Sequence, residues 1–170
     1  MGLNVAPKGK TVKPEKVVVE NKPILESIDS LTLNVDTIEV DSLPLREQVY
    51  NYLTIDKGLS RNHALGLIAN GDRESLWRTE ILGDRGTSGG IFQWHATRFH
   101  RLKQNVPDWR SNWKGQIDYA LIESVGPEWC MKSFKSPQAA ADWWMVYWEI
   151  PANTKGARIK NNQFLSSYNF

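Results

Sequence analysis

The sequence predicts a mainly α (α+β) domain with one small glycine-rich β-hairpin, preceded by an extended N-terminal arm. Three observations carry this. From Leu45 onward apolar residues recur at helical spacing, broken at intervals by capping residues and prolines. One stretch, Gly83 to Gly90, is too rich in glycine for a helix. Residues 1–42 show no helical period at all.

The arm comes first in the chain. Met1 to Val19 is punctuated by Pro7, Lys8, Lys10, Lys13, Pro14 and Lys16, so it lacks the apolar core of a signal peptide. Leu31, Leu33 and Val35 then alternate with polar residues, and Ile38 and Val40 repeat the pattern. Alternation reads as extended chain, and no partner strand lies within the segment. It is expected to be a tether or docking segment for a larger assembly; a disordered leader is the plainer alternative. The domain proper is expected over 43–170.

Its elements follow in order. Ser42 can cap a helix with Pro44 in its first turn; Leu45, Val49, Tyr52 and Leu53 follow, and Gly58 ends it. Ser60 caps a second helix with Ala64, Leu67, Ile68 and Ser75 on one face. After the glycine-rich turn, Ile91-Phe92-Gln93-Trp94 alternates like a short strand. A helix is expected from Ala96 to Gln104. Ser111 opens another through Trp113, Ile117, Ala120 and Leu121, which Gly126-Pro127 stops. Ser136-Pro137 opens the last long helix, running to Pro151, and a short one covers Thr154 to Asn162.

Composition narrows the function. The chain has 170 residues and a formal net charge of +2, with no clustered basic run of the kind a nucleic-acid binder shows. No stretch is long and apolar enough for membrane insertion. The single cysteine, Cys130, excludes an internal disulfide and reads as a small buried hydrophobe. His63, His95 and His100 have no metal-ligand spacing, so neither a metal nor another cofactor is expected. The eight tryptophans are core, sugar-stacking platforms, or both.

The chemistry concentrates in Asn70-Gly71-Asp72-Arg73-Glu74-Ser75 and in Gly83-Asp84-Arg85-Gly86-Thr87-Ser88-Gly89-Gly90-Ile91-Phe92-Gln93-Trp94. On a helical wheel Glu74 lies at the rim of the apolar stripe, near the helix C-terminus. Desolvation and the helix dipole both disfavour its charge, as a general acid near neutral pH requires. Gly71, one turn earlier, is read as leaving room for a substrate. Ser88 and Gln93 offer hydrogen bonds to hydroxyl and N-acetyl groups, and Trp94 offers a stacking face.

A helix-ending Glu-Ser followed by a Gly-Asp-x-Gly-Thr-Ser-x-Gly-x-x-Gln-Trp hairpin resembles the phage tail lysozyme group of the lysozyme-like superfamily, related to goose-type lysozymes and lytic transglycosylases. His95, Arg98 and the late Tyr147-Trp148-Glu149-Ile150-Pro151 fit it too, and the resemblance runs from about Leu45 to Asn162. It implies a lysozyme-like fold that cleaves the bond between N-acetylmuramic acid and N-acetylglucosamine in peptidoglycan glycan strands, with Glu74 as catalytic acid. It places Ser88, Gly90, Gln93, Trp94, His95, Arg98 and Tyr147 along the substrate. Asp84 matches the second acidic residue of goose-type enzymes, which would hold a water; capping the turn is the other reading of Asp84, and Glu80 is a less favoured rival. A transglycosylase needs no second carboxylate. Asp72 and Arg73 depart from the pattern: they put two charges beside the acid that act on it in opposite directions.

The expected setting is a phage particle, its tail above all, with the arm contacting other virion proteins and the enzyme acting on the host cell wall after synthesis in the host cytoplasm. A virion structural or glycan-binding protein with a catalytically weak lysozyme-like fold is the alternative, and an endolysin differs only in delivery.

Overall fold

The computed structural model describes residues 44–168, so the expectations for the arm and for Ser42 lie outside the described residues. Helix α1 (Leu45–Asn51) runs into a π turn over Tyr52–Asp56. Pro44 stands at its N-cap rather than inside its first turn. Helix α2 (Arg61–Ser75) follows, opened by Ser60, whose hydroxyl accepts from the His63 backbone N–H. Strands β1 (Leu82–Gly83), β2 (Ser88–Gly89) and β3 (Trp94–His95) form a three-stranded antiparallel sheet. Leu82 pairs with Gly89, and Gly89 with Trp94. The rest is helical: α3 (Ala96–Asn105), α4 (Trp113–Ile122), α5 (Gly126–Met131), α6 (Pro137–Trp144) with a π turn over Met145–Glu149, and α7 (Thr154–Ser167).

Several expectations change. Only Trp94 of the Ile91–Trp94 run is in a strand; Ile91, Phe92 and Gln93 form a turn. That turn is anchored from outside the hairpin, because the Ile91 N–H donates to Gln116 Oε1 at 2.7 Å. Asn112, not Ser111, caps α4, its side chain accepting from Gly115 N at 2.6 Å. Gly126-Pro127 opens α5 instead of only closing α4, since proline also suits a first helical turn. Helix α7 continues five residues past Asn162 to Ser167.

Helix α2 is the axis of the domain. It was expected to show one apolar face, yet every residue from His63 to Gly71 is buried. A helix covered on all sides needs small residues where neighbours cross. Gly66 provides this against α6: a Cβ there would sit 2.7 Å from Ala140 Cβ and 2.8 Å from the Ala141 backbone nitrogen.

The core is aromatic. Trp94, Trp129, Trp144 and Trp148 are at most 1% exposed. Trp77, Trp94, Trp144 and Trp148 surround Phe92, and Trp129 packs on Trp144. Trp144 and Trp148 stack with ring centroids 4.7 Å apart. The buried indoles keep their N–H groups satisfied where a carbonyl is at hand: Trp77 donates to Ile68, Trp129 to Ala140 and Trp148 to Ala120. Burying each large side chain contributes about 1.5–3 kcal/mol. Among the described residues no helix is long and apolar enough to cross a membrane.

Candidate active site

Glu74 stands one residue before the end of α2, where the chain leaves the helix through left-handed Leu76 and Trp77. Its side chain is 21% exposed. It lines a cleft of about 300 Å³ with Arg73, Pro151, Asn153, Gly156 and Lys160, between the end of α2 and the start of α7. Burial pushes its carboxyl up from the ordinary range, against the opposing charges of Arg73 and Lys160. The two charged residues before it separate. Asp72 turns away to accept from Arg46 Nε at 2.7 Å. Arg73 turns inward, 8% exposed, with Nη1 2.5 Å from Glu74 Oε1.

Arg73 is the hub of a buried polar network. Its Nη2 donates to Glu149 Oε2 and, at 3.2 Å, to Asn70 Oδ1. Its Nε donates to Asn161 Oδ1 at 3.1 Å. Asn161 Nδ2 in turn donates to Asn70 Oδ1 at 2.8 Å, and Asn70 Nδ2 donates to Ala141 O at 3.1 Å. The Glu149 side chain is 4% exposed. Burial lifts its carboxyl to about 8, with Arg73 opposing and Glu74 reinforcing the shift. The sequence marks Asn70, Arg73 and Glu149 separately, and nothing in its spacing shows that they meet; Asn161 carries no signal.

The hairpin makes a cluster of its own. Ser88 is buried, with Oγ 3.1 Å from Asp84 Oδ2 and 3.2 Å from Gln93 Oε1. Gln93 Nε2 donates to Gly90 O at 3.0 Å. Asp84 is exposed at the bend, and its own carbonyl accepts from the Thr87 N–H and hydroxyl, as a turn-forming residue does. Asp84, Arg85 and Gln93 all hold positive φ without being glycine. Such conformations cost about 1–3 kcal/mol each and gather at functional sites. Glu80 is exposed and accepts from the Thr79 hydroxyl at 3.2 Å.

Four residues expected near the substrate are engaged by contacts within the fold. Trp94 offers no stacking face: it is 1% exposed and donates its indole N–H to Glu123. Arg98, its side chain 31% exposed, pairs with Glu123 at 2.6 Å, donates to Trp148 O at 3.0 Å and lies 4.0 Å over the Trp148 ring. Gly90 is buried at φ +79, where a side chain would strike Gln116 and Trp94. Gly71 opens no room for substrate; a Cβ there would lie 2.6 Å from the Trp77 ring, which fills the space. His95 is exposed, with Nε2 3.4 Å from Thr87 Oγ1. Tyr147 is 55% exposed and leans on Trp143 at 4.8 Å between ring centroids. Among the described residues no group of three or more His, Cys, Asp or Glu side chains could hold a metal ion.

Glu74 is thus a half-buried carboxyl in a polar cleft between α2 and α7, and the hairpin cluster of Asp84, Ser88 and Gln93 is separate from that cleft's lining. No curated protein matches the chain. The sequence pattern of the phage tail lysozymes matches residues 45–166, well over half of its length and nearly all of the described domain. The chain belongs to the phage tail lysozyme family.

Proposed function

We propose that the protein cleaves the β-1,4 bond between N-acetylmuramic acid and N-acetylglucosamine in peptidoglycan, with Glu74 as the general acid, and that it does so as part of a phage particle opening a local path through the cell wall. The observation that carries this is Glu74 itself. It is a carboxyl whose burial favours the protonated form, yet it reaches a cleft that a sugar can enter. In the step, Glu74 gives its proton to the glycosidic oxygen as the carbon–oxygen bond breaks. Its new carboxylate is then matched by the guanidinium of Arg73, already 2.5 Å away.

What attacks the sugar decides between two outcomes. Inverting hydrolysis needs a second carboxylate roughly 6.5–9.5 Å from the acid to hold a water. Asp84, exposed and anchored at one oxygen by Ser88, is the hairpin's candidate for that task. If the sugar's own 6-hydroxyl attacks, no second carboxylate is used and the products carry 1,6-anhydro ends. Ser88, Gln93, His95 and Tyr147 remain the candidate sugar contacts.

A second reading has one observation in its favour. Arg73 against Glu74 stabilises the carboxylate, the wrong form for an acid, and suits a wall-binding virion protein with little turnover. One experiment separates the two: purified peptidoglycan is digested with wild type and Glu74→Gln, and released fragments are read by mass spectrometry. Fragments from the wild type only, with the Glu74→Gln chain folded as judged by circular dichroism, support the enzyme. Full activity in Glu74→Gln removes Glu74 from the mechanism, and wall binding without any fragments favours the second reading.

A further inference from the structure

We propose that Gln116 is a positioning residue for the glycan contact Gln93: from α4 it orients the peptide group between Gly90 and Ile91, and that peptide group aims the Gln93 amide. This deepens the reading of Gln93 as a sugar contact and rests on it.

The hairpin is too small to hold its own shape. Each of its strands has two residues, and ribbons this short are marginal without outside support. Yet it carries Gln93 at φ +47 and Asp84 at φ +49. Strained backbone persists only where the surroundings over-determine it. Part of the support is apolar, since Ile91 and Phe92 are buried. Apolar burial has no direction, so it sets how deep the turn sits and not which way its peptide groups face. Orientation requires a hydrogen bond.

Gln116 supplies it. The residue is 0% exposed, and its amide is used at both ends. Oε1 accepts from the Ile91 N–H at 2.7 Å. Nε2 donates to Thr79 O at 3.1 Å, just before β1, and to Trp109 O, ahead of α4. One side chain thus ties the approach to the hairpin and its turn to α4.

The Ile91 N–H and the Gly90 carbonyl belong to one planar peptide group. Gln116 holds it by the N–H. Its carbonyl accepts twice from Gln93, from the backbone N–H at 3.1 Å and from Nε2 at 3.0 Å. With Nε2 so held, Gln93 Oε1 meets Ser88 Oγ at 3.2 Å. Gly90 lets Gln116 come close: a Cβ there would lie 2.7 Å from Gln116 Oε1. Gln116 is too enclosed to touch a glycan, so its effect on the reaction passes through this peptide.

The test is a double-mutant cycle on the full chain, read as kcat/KM per folded molecule on soluble peptidoglycan fragments. The variants are Gln116→Ala, Gln93→Ala and both together; Gln116→Met is made alongside. Gln116→Ala leaves space for water to meet the three groups it strands, whereas Gln116→Met keeps the volume, and the cycle uses whichever folds by circular dichroism. Each single change should lower kcat/KM about tenfold or more, and the double variant should fall no further than Gln93→Ala alone. The 15N NMR signal of the Gln93 side-chain amide should shift in the Gln116 variant. A Gln93 signal that stays in place overturns the proposal, and so do losses that multiply in the double variant, as an unconnected structural role would give. In wild type the Ile91 amide should exchange with solvent as slowly as the buried amides of α2; exchange at the rate of exposed amides overturns the proposal without any variant. Full turnover in Gln93→Ala sinks the sugar reading of Gln93, while the Gln93 signal still decides the anchor, so the two failures are distinct.

Discussion

The Ser88 hydroxyl lies 3.2 Å from Gln93 Oε1, and the space for that contact exists because residue 83 has no side chain. A Cβ on Gly83 would come within 2.3 Å of Gln93 Oε1 and 2.7 Å of Ser88 Oγ. The Gln93 amide is the end of a flexible side chain, so it would swing aside at small energetic cost. Gly83→Ala is therefore expected to lower peptidoglycan turnover about tenfold or more while stability falls by less than about 1 kcal/mol. Fragment release and a urea melt on the same preparation check this; unchanged turnover would take Gln93 and Ser88 out of the substrate path.

The corresponding change inside α2 should behave in the opposite way. In Gly66→Ala the new methyl group meets the Ala141 backbone nitrogen at 2.8 Å, and backbone cannot swing aside. Overpacking of this kind costs about 1–3 kcal/mol. The melting temperature should drop, with turnover per folded molecule kept.

Arg98 discriminates between a glycan contact and a clamp. Arg98→Met keeps the apolar stem but leaves Glu123, 11% exposed, without the cation that pairs with it. The expected loss is about 1–3 kcal/mol of stability with KM unchanged. A raised KM at unchanged stability would restore Arg98 to the substrate site.

Stability should also fall as the medium becomes alkaline. The Glu149 carboxyl ionises near 8 in the folded chain against an ordinary 4.5, so between these values the folded state binds more protons than the unfolded one. Its favourable contribution is complete below the unfolded value and lost as pH rises toward the folded one. Glu74, also raised, acts with the same sign. His63, lowered by burial, acts in the opposite sense and only below about 6.5, so melts between about pH 6.5 and 8 isolate the carboxyls. Urea midpoints should decline across that window in wild type and flatten in Glu149→Gln; an equal decline in both would assign the effect elsewhere.

Local signals in the sequence were enough for most elements. Ser60 and Ser136 cap the helices expected of them, and the glycine run makes the sheet. Glu74 at the rim of the core was readable from helical spacing alone. The failures are places where local chemistry has two meanings or where the partner is distant. Proline after glycine marks either a stop or a start, and at Gly126-Pro127 it is a start. Alternation at Ile91–Trp94 looked like a strand because the side chain that holds the turn, Gln116, is 25 residues away. Arg73 and Glu149 are 76 residues apart, and the π turn over Met145–Glu149 that carries Glu149 leaves no mark in spacing. Trp94 reads as a sugar platform because an aromatic side chain suits both a groove and an interior; only the fold shows it turned inward.

The inward tryptophans also determine what light can report about this protein. Six of the eight indoles are at most 2% exposed, and several sit ring against ring. Emission from the native chain should therefore be short in wavelength and shared among neighbours by energy transfer. It will shift strongly to the red when the chain unfolds, yet hardly respond when a glycan settles against the surface. Only Trp113 and Trp143 keep part of their rings toward water. A fluorescent probe of occupancy would have to be installed rather than borrowed from the native indoles.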